Sequence, residues 1–423
     1  MNLVGIGDCN NFYVSCIRSF NPKLIGQPVI VLSNNDKCVV ARSNEAKALG
    51  IRMGQPLFQL KRKVSDYNVQ VFSSNYELFG DMSRRVFNTI GRFMEHTFPY
   101  SIDELFFSAS GYESIYGSHA DMARMMIKTV DQWTRIPVSI GIGETMTLAK
   151  VANRHAKKHP EYQGVFVMDN PELRESILAE FPVGDLWGIG RQYEVLLKQN
   201  GIRTALELSR LPHDWIKQFM TVEGLRLVYE LQGIQCRDLD TEPLHKKSIC
   251  VAPSFGRKVW SYGTLCEALA TYLARASEKL RRHSSAAGVV TVFIHTNRFD
   301  KVGPHHSASQ SITLPHPSSS TMELLQYAEP VLKSIYKTGY DYQEVGLILN
   351  EIVPEGHQQQ LLYSDTPNPR QAQLSQVVDK LNGKYGRDKI RLGLQGYDKS
   401  WKMKQDHLPP SYTTKWSDII EVR

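Results

Sequence analysis

Three carboxylates stand where burial makes a carboxylate costly. Asp8 follows the apolar run Leu3-Val4-Gly5-Ile6-Gly7, and Asp103 and Glu104 interrupt Tyr100-Ser101-Ile102-Asp103-Glu104-Leu105-Phe106-Phe107. Both stretches read as buried strands, where an ionised carboxylate must be paired or bind a metal. Oxygen ligands of this kind suit two hard cations such as Mg²⁺. Two such ions, about 3.5–4 Å apart, are the usual apparatus of in-line phosphoryl transfer. Neighbours in a regular strand point to opposite faces, so Asp103 and Glu104 can serve one centre only if the chain bends there. A strand cap at Asp8 and a solvated hairpin at 103–104 would account for the same residues without chemistry.

Cations and aromatics lie within reach in sequence. Arg42 precedes and Lys47 lies within Asn44-Glu45-Ala46-Lys47-Ala48-Leu49-Gly50, read as a short helix after a strand, where the two cations can meet a triphosphate or form a solvated face. Lys150 and Lys157 are seven residues apart and share one helix face. Aimed at the carboxylate end of the sheet, they would offset charge on a reacting phosphate; turned outward, they are a surface stripe. Phe12-Tyr13 follows Asp8 closely enough to press on a nucleotide sugar and exclude a 2′-hydroxyl, or simply to pack in the core. The turn Leu186-Trp187-Gly188-Ile189-Gly190-Arg191 exposes backbone amides at a helix start, a ready phosphate grip. Its glycines also fit an ordinary tight turn.

The elements that must position these residues follow from length and pattern. A chain of 423 residues forms roughly two to four compact units. Its net charge of +7 and pI near 8.9 mildly favour a polyanionic partner. The six cysteines, at 9, 16, 38, 236, 250 and 266, form no Cys-x-x-Cys pair, so neither zinc nor a disulfide framework is indicated. No stretch approaches a membrane span, and the expected compartment is the cytoplasm, with no membrane partner. Residues up to 168 alternate strand and helix patterns, implying a sheet covered by helices. Residues 171–235 show helical spacing only. From Ser248 to Glu351 the order β-α-β-β-α-β matches a ferredoxin-like duplicated unit, beginning with a strand near Ile249–Val259. A basic tail with one clear helix, near Gln371–Leu381, follows.

Together, Asp8 with Phe12-Tyr13, Ser101-Ile102-Asp103-Glu104 and the lysine helix 147–157 resemble the Y-family translesion DNA polymerases. Leu32-Ser33-Asn34-Asn35-Asp36, the segment Ala41–Gly50, Phe72–Leu78 and Tyr412-Thr413-Thr414 are similar to the UmuC subgroup, the catalytic subunit of bacterial DNA polymerase V. The resemblance implies an α/β and α+β multidomain, right-hand polymerase. Its palm would be 1–18 and 76–168, its fingers 19–75, and its helical thumb, with a helix-hairpin-helix, 169–238. A ferredoxin-like little finger would span 243–351 and a partner-binding tail 352–423. Asp8, Asp103 and Glu104 would be catalytic and hold two Mg²⁺ ions, with the Cys9 carbonyl assisting. Tyr13 would be the steric gate beside Phe12, and Arg42, Lys47 and Lys157 would meet the triphosphate. DNA phosphates would lie on Gly188, Ile189 and Gly190 and on Lys246, Lys247, Arg257, Lys258 and Arg298. Gln359, Leu362 and Tyr363 resemble a sliding-clamp peptide. The implied activity is error-prone translesion synthesis in the SOS response. The implied partners are primer-template DNA, deoxynucleoside triphosphates, the sliding clamp, a UmuD-type accessory dimer and RecA. Ile17, Leu105, Cys9 and Lys47 depart from the wider family pattern, and no segment offers a separate acidic set for a proofreading nuclease. Two other classes use parts of this pattern: another palm-type phosphotransferase such as a nucleotide cyclase, and a catalytically silent DNA-binding scaffold.

Overall fold

The computed structural model describes residues 3–239, 246–355 and 369–421, so Gln359, Leu362 and Tyr363 lie outside the described residues. The chain divides into two units. The first comprises 1–33, 38–242 and 407–423; the second comprises 34–37 and 243–406.

In the first unit the elements run β1 (Val4–Cys9), α1 (Phe12–Phe20), β2 (Val29–Leu32), β3 (Val39–Arg42), α2 (Asn44–Ala48), α3 (Lys61–Asp66), β4 (Gln70–Ser73) and α4 (Tyr76–Ile90). Next come β5 (Thr97–Pro99), β6 (Glu104–Ser108), α5 (Glu113–Tyr116), α6 (His119–Thr134), β7 (Val138–Gly143), α7 (Met146–Lys158) and β8 (Val165–Val167). The helical stretch holds α8 (Pro171–Glu180), α9 (Arg191–Gln199), α10 (Ala205–Ser209) and α11 (His213–Leu231). One sheet has the order β5-β6-β1-β7-β8, and a smaller one has the order β3-β2-β4.

Strand parity decides what the larger sheet offers to each side. Cys9 of β1, Leu105 and Phe107 of β6, and Val138, Ile140 and Ile142 of β7 join α1, α4 and α6 in one core. Val4 and Ile6 of β1 and Phe106 of β6 face the other way and pack with Met146 and Ala149 of α7. Side chains alternate along a strand, so Asp8 shares the α7 face with Val4 and Ile6, and Glu104 shares it with Phe106. The register sets Asp8 directly opposite Glu104. On β7 this face carries glycine: a Cβ on Gly141 would lie 2.1 Å from the Asn153 nitrogen, so only glycine lets α7 lie this close. The remaining apolar side of α7, Leu148, Val151, Ala152 and Ala156, packs with Phe181, Val183, Leu186 and Ile189 and the helices after them. One helix therefore belongs to the sheet and to the helical stretch at once.

The second unit contains β9 (Ser248–Val251), α12 (Tyr262–Arg282), β10 (Ser285–Thr296), β11 (Ser307–Ser318), α13 (Thr321–Ile335), β12 (Tyr342–Pro354) and α14 (Pro369–Tyr385). Its strands are antiparallel in the order β11-β10-β12-β9. The element order is the expected β-α-β-β-α-β. The first strand is shorter than the reading Ile249–Val259, because Pro253 cannot donate to the ladder. The tail as far as 406 is built into this unit, and 407–423 belongs to the first: Trp401, 2% exposed, sits in the second unit's core with Phe255 and Tyr272. Arg281 holds Asp379 of α14 through two bonds, of 2.6 and 2.9 Å. Asn35 joins both ends, donating to Ser254 O at 2.7 Å and accepting from the Lys404 amide at 2.8 Å.

Candidate active site

The bend required between Asp103 and Glu104 is present. The backbone amides of Tyr100 and Ser101 both donate to Glu104 O, at 2.9 and 3.1 Å, closing a tight turn ahead of β6. Ser101 Oγ accepts from the Asp103 and Glu104 amides and donates to Asp103 Oδ1 at 2.6 Å. Asp103 thus leaves the strand, while Glu104 begins it opposite Asp8; residues facing each other across a ladder have Cβ atoms about 4.5–5.5 Å apart. The Cys9 amide donates to Asp103 O at 2.9 Å, fixing the turn against β1.

Helix α7 supplies a cation to each cross-strand carboxylate. Lys157 Nζ lies 2.5 Å from Asp8 Oδ1, and Lys150 Nζ lies 2.8 Å from Glu104 Oε1. The shared helix face inferred from the seven-residue spacing is therefore realised, with both lysines on the sheet side. Burial pushes the Asp8 carboxyl above its ordinary range; Lys157 opposes the shift, while Glu104 and Asp103 add to it. Such a group favours added positive charge nearby. Among the described residues no three His, Cys, Asp or Glu side chains already form a metal cage, the lysines being the counter-charges in place. The donor set is nonetheless all oxygen, with Asp8 opposite Glu104 across the ladder and Asp103 next to Glu104 in the chain, which fits hard divalent cations. Cys9 buries its side chain in the core, 3% exposed, so only its backbone is left for a ligand role.

Asp8, Asp103 and Lys157 border a cleft of about 700 Å³, lined also by Asn10, Asn11, Tyr13, Arg42, Asn44 and Lys47. Tyr13 stacks on Phe79, with ring centroids 4.3 Å apart and planes 8° apart, and meets Tyr76 edge-on. Burial, with smaller contributions from Tyr76 and Asp103, pushes its hydroxyl up to about 12. Phe12 also borders the cleft but is 3% exposed with its side chain in the core, whereas Tyr13 is only partly buried. Lys47 Nζ donates to Asn11 Oδ1 at 2.7 Å and Asn44 Oδ1 at 3.1 Å. Burial, and then the nearby Arg42 and Lys157, hold its ammonium below the usual range. Arg42 borders the cleft, but its guanidinium donates to Ile51 O. The departures Ile17 and Leu105, like Cys9, have their side chains packed in the core.

The turn at 186–191 follows a single 3-10 turn, Val183–Asp185, and leads into α9. Gly188 has φ 93°, a conformation that favours glycine. Ile189 has its side chain buried and its N–H committed to Leu186 O at 3.1 Å, leaving exposed Gly188 and Gly190 as the outward part of the turn. In the second unit Lys258 pairs with Asp300 at 2.7 Å, Arg257 bonds Ser400, and Arg298 lies 4.8 Å from the Phe299 ring centroid. Lys246 and Lys247 are exposed.

Reasoning from sequence missed Ser101, Asn11, Asn44 and the surroundings of Lys150. The spacing Ser-x-Asp-Glu and the doublet Asn10-Asn11 after Asp8 were signals for the first two. The surroundings of Lys150 left none, since its neighbours are far apart in sequence.

Residues 7–154 match the impB/mucB/samB family, residues 246–362 match that family's C-terminal domain, and residues 372–422 match a domain of unknown function. Protein UmuC of Salmonella typhimurium is 38% identical over 418 residues, covering 98% of this chain and 99% of that protein. Protein MucB of Escherichia coli is 33% identical over 97% of each chain. DNA polymerase IV 1 of Bacillus subtilis is 26% identical over 91% of each. Among solved structures, a chimera of the Y-family DNA polymerases Dbh and Dpo4 superposes with a TM-score of 0.68 at 18% identity, covering 83% of this chain and 99% of that one. At that identity the superposition speaks for the fold alone.

Proposed function

The chain belongs to the impB/mucB/samB family of UmuC-type, Y-family DNA polymerases, and from that premise we propose that it extends primers across damaged template bases by template-directed nucleotidyl transfer. The observation that carries this reading is the cross-strand pair Asp8–Glu104, with Asp103 turned beside it at a cleft ringed by Tyr13, Lys47 and Lys157. In the reaction the primer 3′-oxygen bonds to the α-phosphorus, the bond to the pyrophosphate oxygen breaks, and the hydroxyl proton is lost. Lys47 and Lys157 carry positive charge to the triphosphate and the departing pyrophosphate. Arg42 joins them only if its guanidinium leaves Ile51. Tyr13 closes the sugar side of the cleft against a 2′-hydroxyl, its ring held in place by Phe79. Asp8, Asp103 and Glu104, with the Cys9 carbonyl, would hold two divalent cations of the Mg²⁺ type. Such ions, when bound, orient the reacting oxygens and offset charge in the transition state.

Duplex affinity is assigned to phosphate contacts. The exposed backbone at Gly188 and Gly190, at the positive end of α9, and the cations Lys246, Lys247, Arg257, Lys258 and Arg298 offer them without reading sequence. By family resemblance, the sliding clamp, at Gln359, Leu362 and Tyr363, a UmuD-type dimer and RecA are proposed partners, and the cytoplasm the place of action. Among the described residues no helix is long and apolar enough to cross a membrane.

Primer extension on a template carrying an abasic site, with Mg²⁺ and all four deoxynucleotides, tests the reading. Extension past the lesion that Glu104→Ala abolishes is the expected result. A protein that forms a cyclic nucleotide from the same triphosphates without using the primer would be another palm-type phosphotransferase. One that binds the duplex and catalyses neither reaction would be a scaffold.

A further inference from the structure

Lys150 is held from more sides than its pairing with Glu104 requires. Its ammonium lies 4.6 Å from the ring centroid of Tyr100, 5.7 Å from that of Phe106 and 5.0 Å from that of Trp187. These rings also fix one another. Trp187 meets Tyr100 edge-on at 5.5 Å, and its indole N–H donates to the Tyr100 hydroxyl at 3.2 Å. Tyr100 and Phe106 come from the strand that carries Glu104 and the turn before it. Trp187 comes from elsewhere: it is the residue immediately before Gly188 in the exposed turn that leads into α9.

The 3-10 turn just before it, Val183–Asp185, is bound to α7 as well. Asp185 pairs with Arg154 at 2.5 Å and with Lys158 at 3.4 Å. Arg237 lies 4.4 Å from the Trp187 ring centroid and 3.5 Å from Glu230. Glu230 is fully buried and accepts from the Thr147 amide at 3.0 Å and the Thr147 hydroxyl at 2.5 Å, at the start of α7. Cations seek aromatic faces, most strongly where water is excluded, and the Lys150 side chain is only 16% exposed. A displacement of the turn therefore moves one wall of the Lys150 cage, and Lys150 holds Glu104.

We propose that Trp187 is a positioning residue that couples the phosphate-gripping turn to the catalytic carboxylate Glu104 through Lys150. This rests on reading Asp8, Asp103 and Glu104 as the polymerase centre. When the turn is seated on a duplex, the indole completes the cage, Lys150 stays in one rotamer, and Glu104 is presented in one orientation. When the turn is displaced, Lys150 gains freedom and Glu104 loses its fixed partner.

The experiment compares Trp187→Leu, which keeps apolar bulk without a π face, with Trp187→Phe, which restores one. Single-nucleotide addition is measured on an undamaged primer-template at saturating DNA, with Glu104→Ala and Lys150→Ala alongside. Trp187→Leu should lower kcat by ~10-fold, with DNA affinity and nucleotide KM within about twofold, and Trp187→Phe should recover most of the loss. A second readout needs no turnover. In protein labelled at lysine Cε, aromatic rings shift the Lys150 methylene resonance upfield, and that signal, assigned by its loss in Lys150→Arg, should return toward the free-lysine position in Trp187→Leu. Unchanged kcat in Trp187→Leu together with an unmoved Lys150 signal overturns the proposal. So does a loss confined to DNA affinity, which would make Trp187 part of the turn's grip alone. Should Trp187→Leu fail to fold, Trp187→Phe carries the same comparison on the resonance: an upfield signal kept with kcat near normal supports the coupling, and one lost with kcat near normal refutes it. If Glu104→Ala extends primers normally, the reading of the centre itself fails, whatever Trp187 does.

Discussion

Two ion pairs on one helix, seven residues apart, meet different surroundings. Lys157–Asp8 stands on the wall of the cleft, with the Lys157 side chain 30% exposed. Lys150–Glu104 is wrapped by Tyr100, Phe106 and Trp187. Both pairs join a lysine of α7 to a carboxylate at the same rung of the same ladder. What differs is access. Lys157 and Asp8 of the open pair both border the cleft, whereas the ammonium of the closed pair lies among three aromatic rings. Side-chain chemistry is equal at the two ends, and packing sets them apart.

The severest way to test this centre is to remove a carboxylate. Asp103→Ala or Glu104→Ala should lower nucleotide addition by on the order of 10²–10³-fold or more, since groups aimed at transition-state charge carry much of the rate. DNA affinity should hold within about twofold, because the phosphate contacts proposed for the duplex involve other residues. Primer extension and a filter-binding titration measure both quantities, and near-normal extension would remove Asp103 and Glu104 from the centre.

Removing each lysine in turn sharpens the comparison directly. Lys157→Ala should raise the nucleotide KM by ~10-fold or more, the scale of one charge-assisted bond. Lys150→Ala should act on kcat and leave KM largely alone, because its ammonium is shut away from the cleft. Steady-state kinetics on a single template position would show the split. The same pattern for both variants would mean that the open and closed surroundings make no functional difference.

A smaller effect belongs to the open end alone. Tyr13→Ala should reduce discrimination against ribonucleotides by ~10-fold or more, as removing a steric wall admits the extra hydroxyl. The ratio of ribo- to deoxynucleotide incorporation efficiencies reports it; a constant ratio would leave Tyr13 as packing for Phe79.

The smallest effect is on stability. Burial raises the Asp8 proton affinity, so the folded chain holds a proton where the unfolded chain has released it. Stability from this group therefore falls as pH rises from the ordinary carboxyl range through the raised folded value. In metal-free buffer, Asp8→Asn should raise the melting temperature relative to wild type at pH 7 more than at pH 4, by a few degrees. Added Mg²⁺ should stabilise the wild type more than the variant, since ligands that bind only the folded state raise its melting point. A variant less stable than wild type at pH 7 but not at pH 4 would show that the Lys157 pair outweighs burial at Asp8.

Much of the centre was legible in the chain. Asp8 and Glu104 declared themselves as charges in apolar runs, and Lys150 and Lys157 as a pair on one helix face. The bend at Asp103 was required by strand geometry before it was seen, though Ser101, which makes it, went unnoticed. Phe12 and Tyr13 are adjacent and aromatic, and sequence could not say which enters the core; the phase of α1 buries the first. Ile189 was read with its flanking glycines as part of a phosphate grip, yet its amide and side chain serve the turn itself.

The sequence by itself determined the alternation that brings carboxylates and α7 to one face, the β-α-β-β-α-β order of the second unit and the family likeness, because strand and helix periods are local properties written into neighbouring residues. Only the tertiary structure decided that Trp187 closes on Lys150 and that Trp401 of the tail fills the core beside Phe255 and Tyr272. It also decided that Arg42 turns toward Ile51. Those outcomes depend on which distant surfaces meet and in what register. Close packing leaves each side chain only the room its neighbours leave, and residues far along the chain set that room.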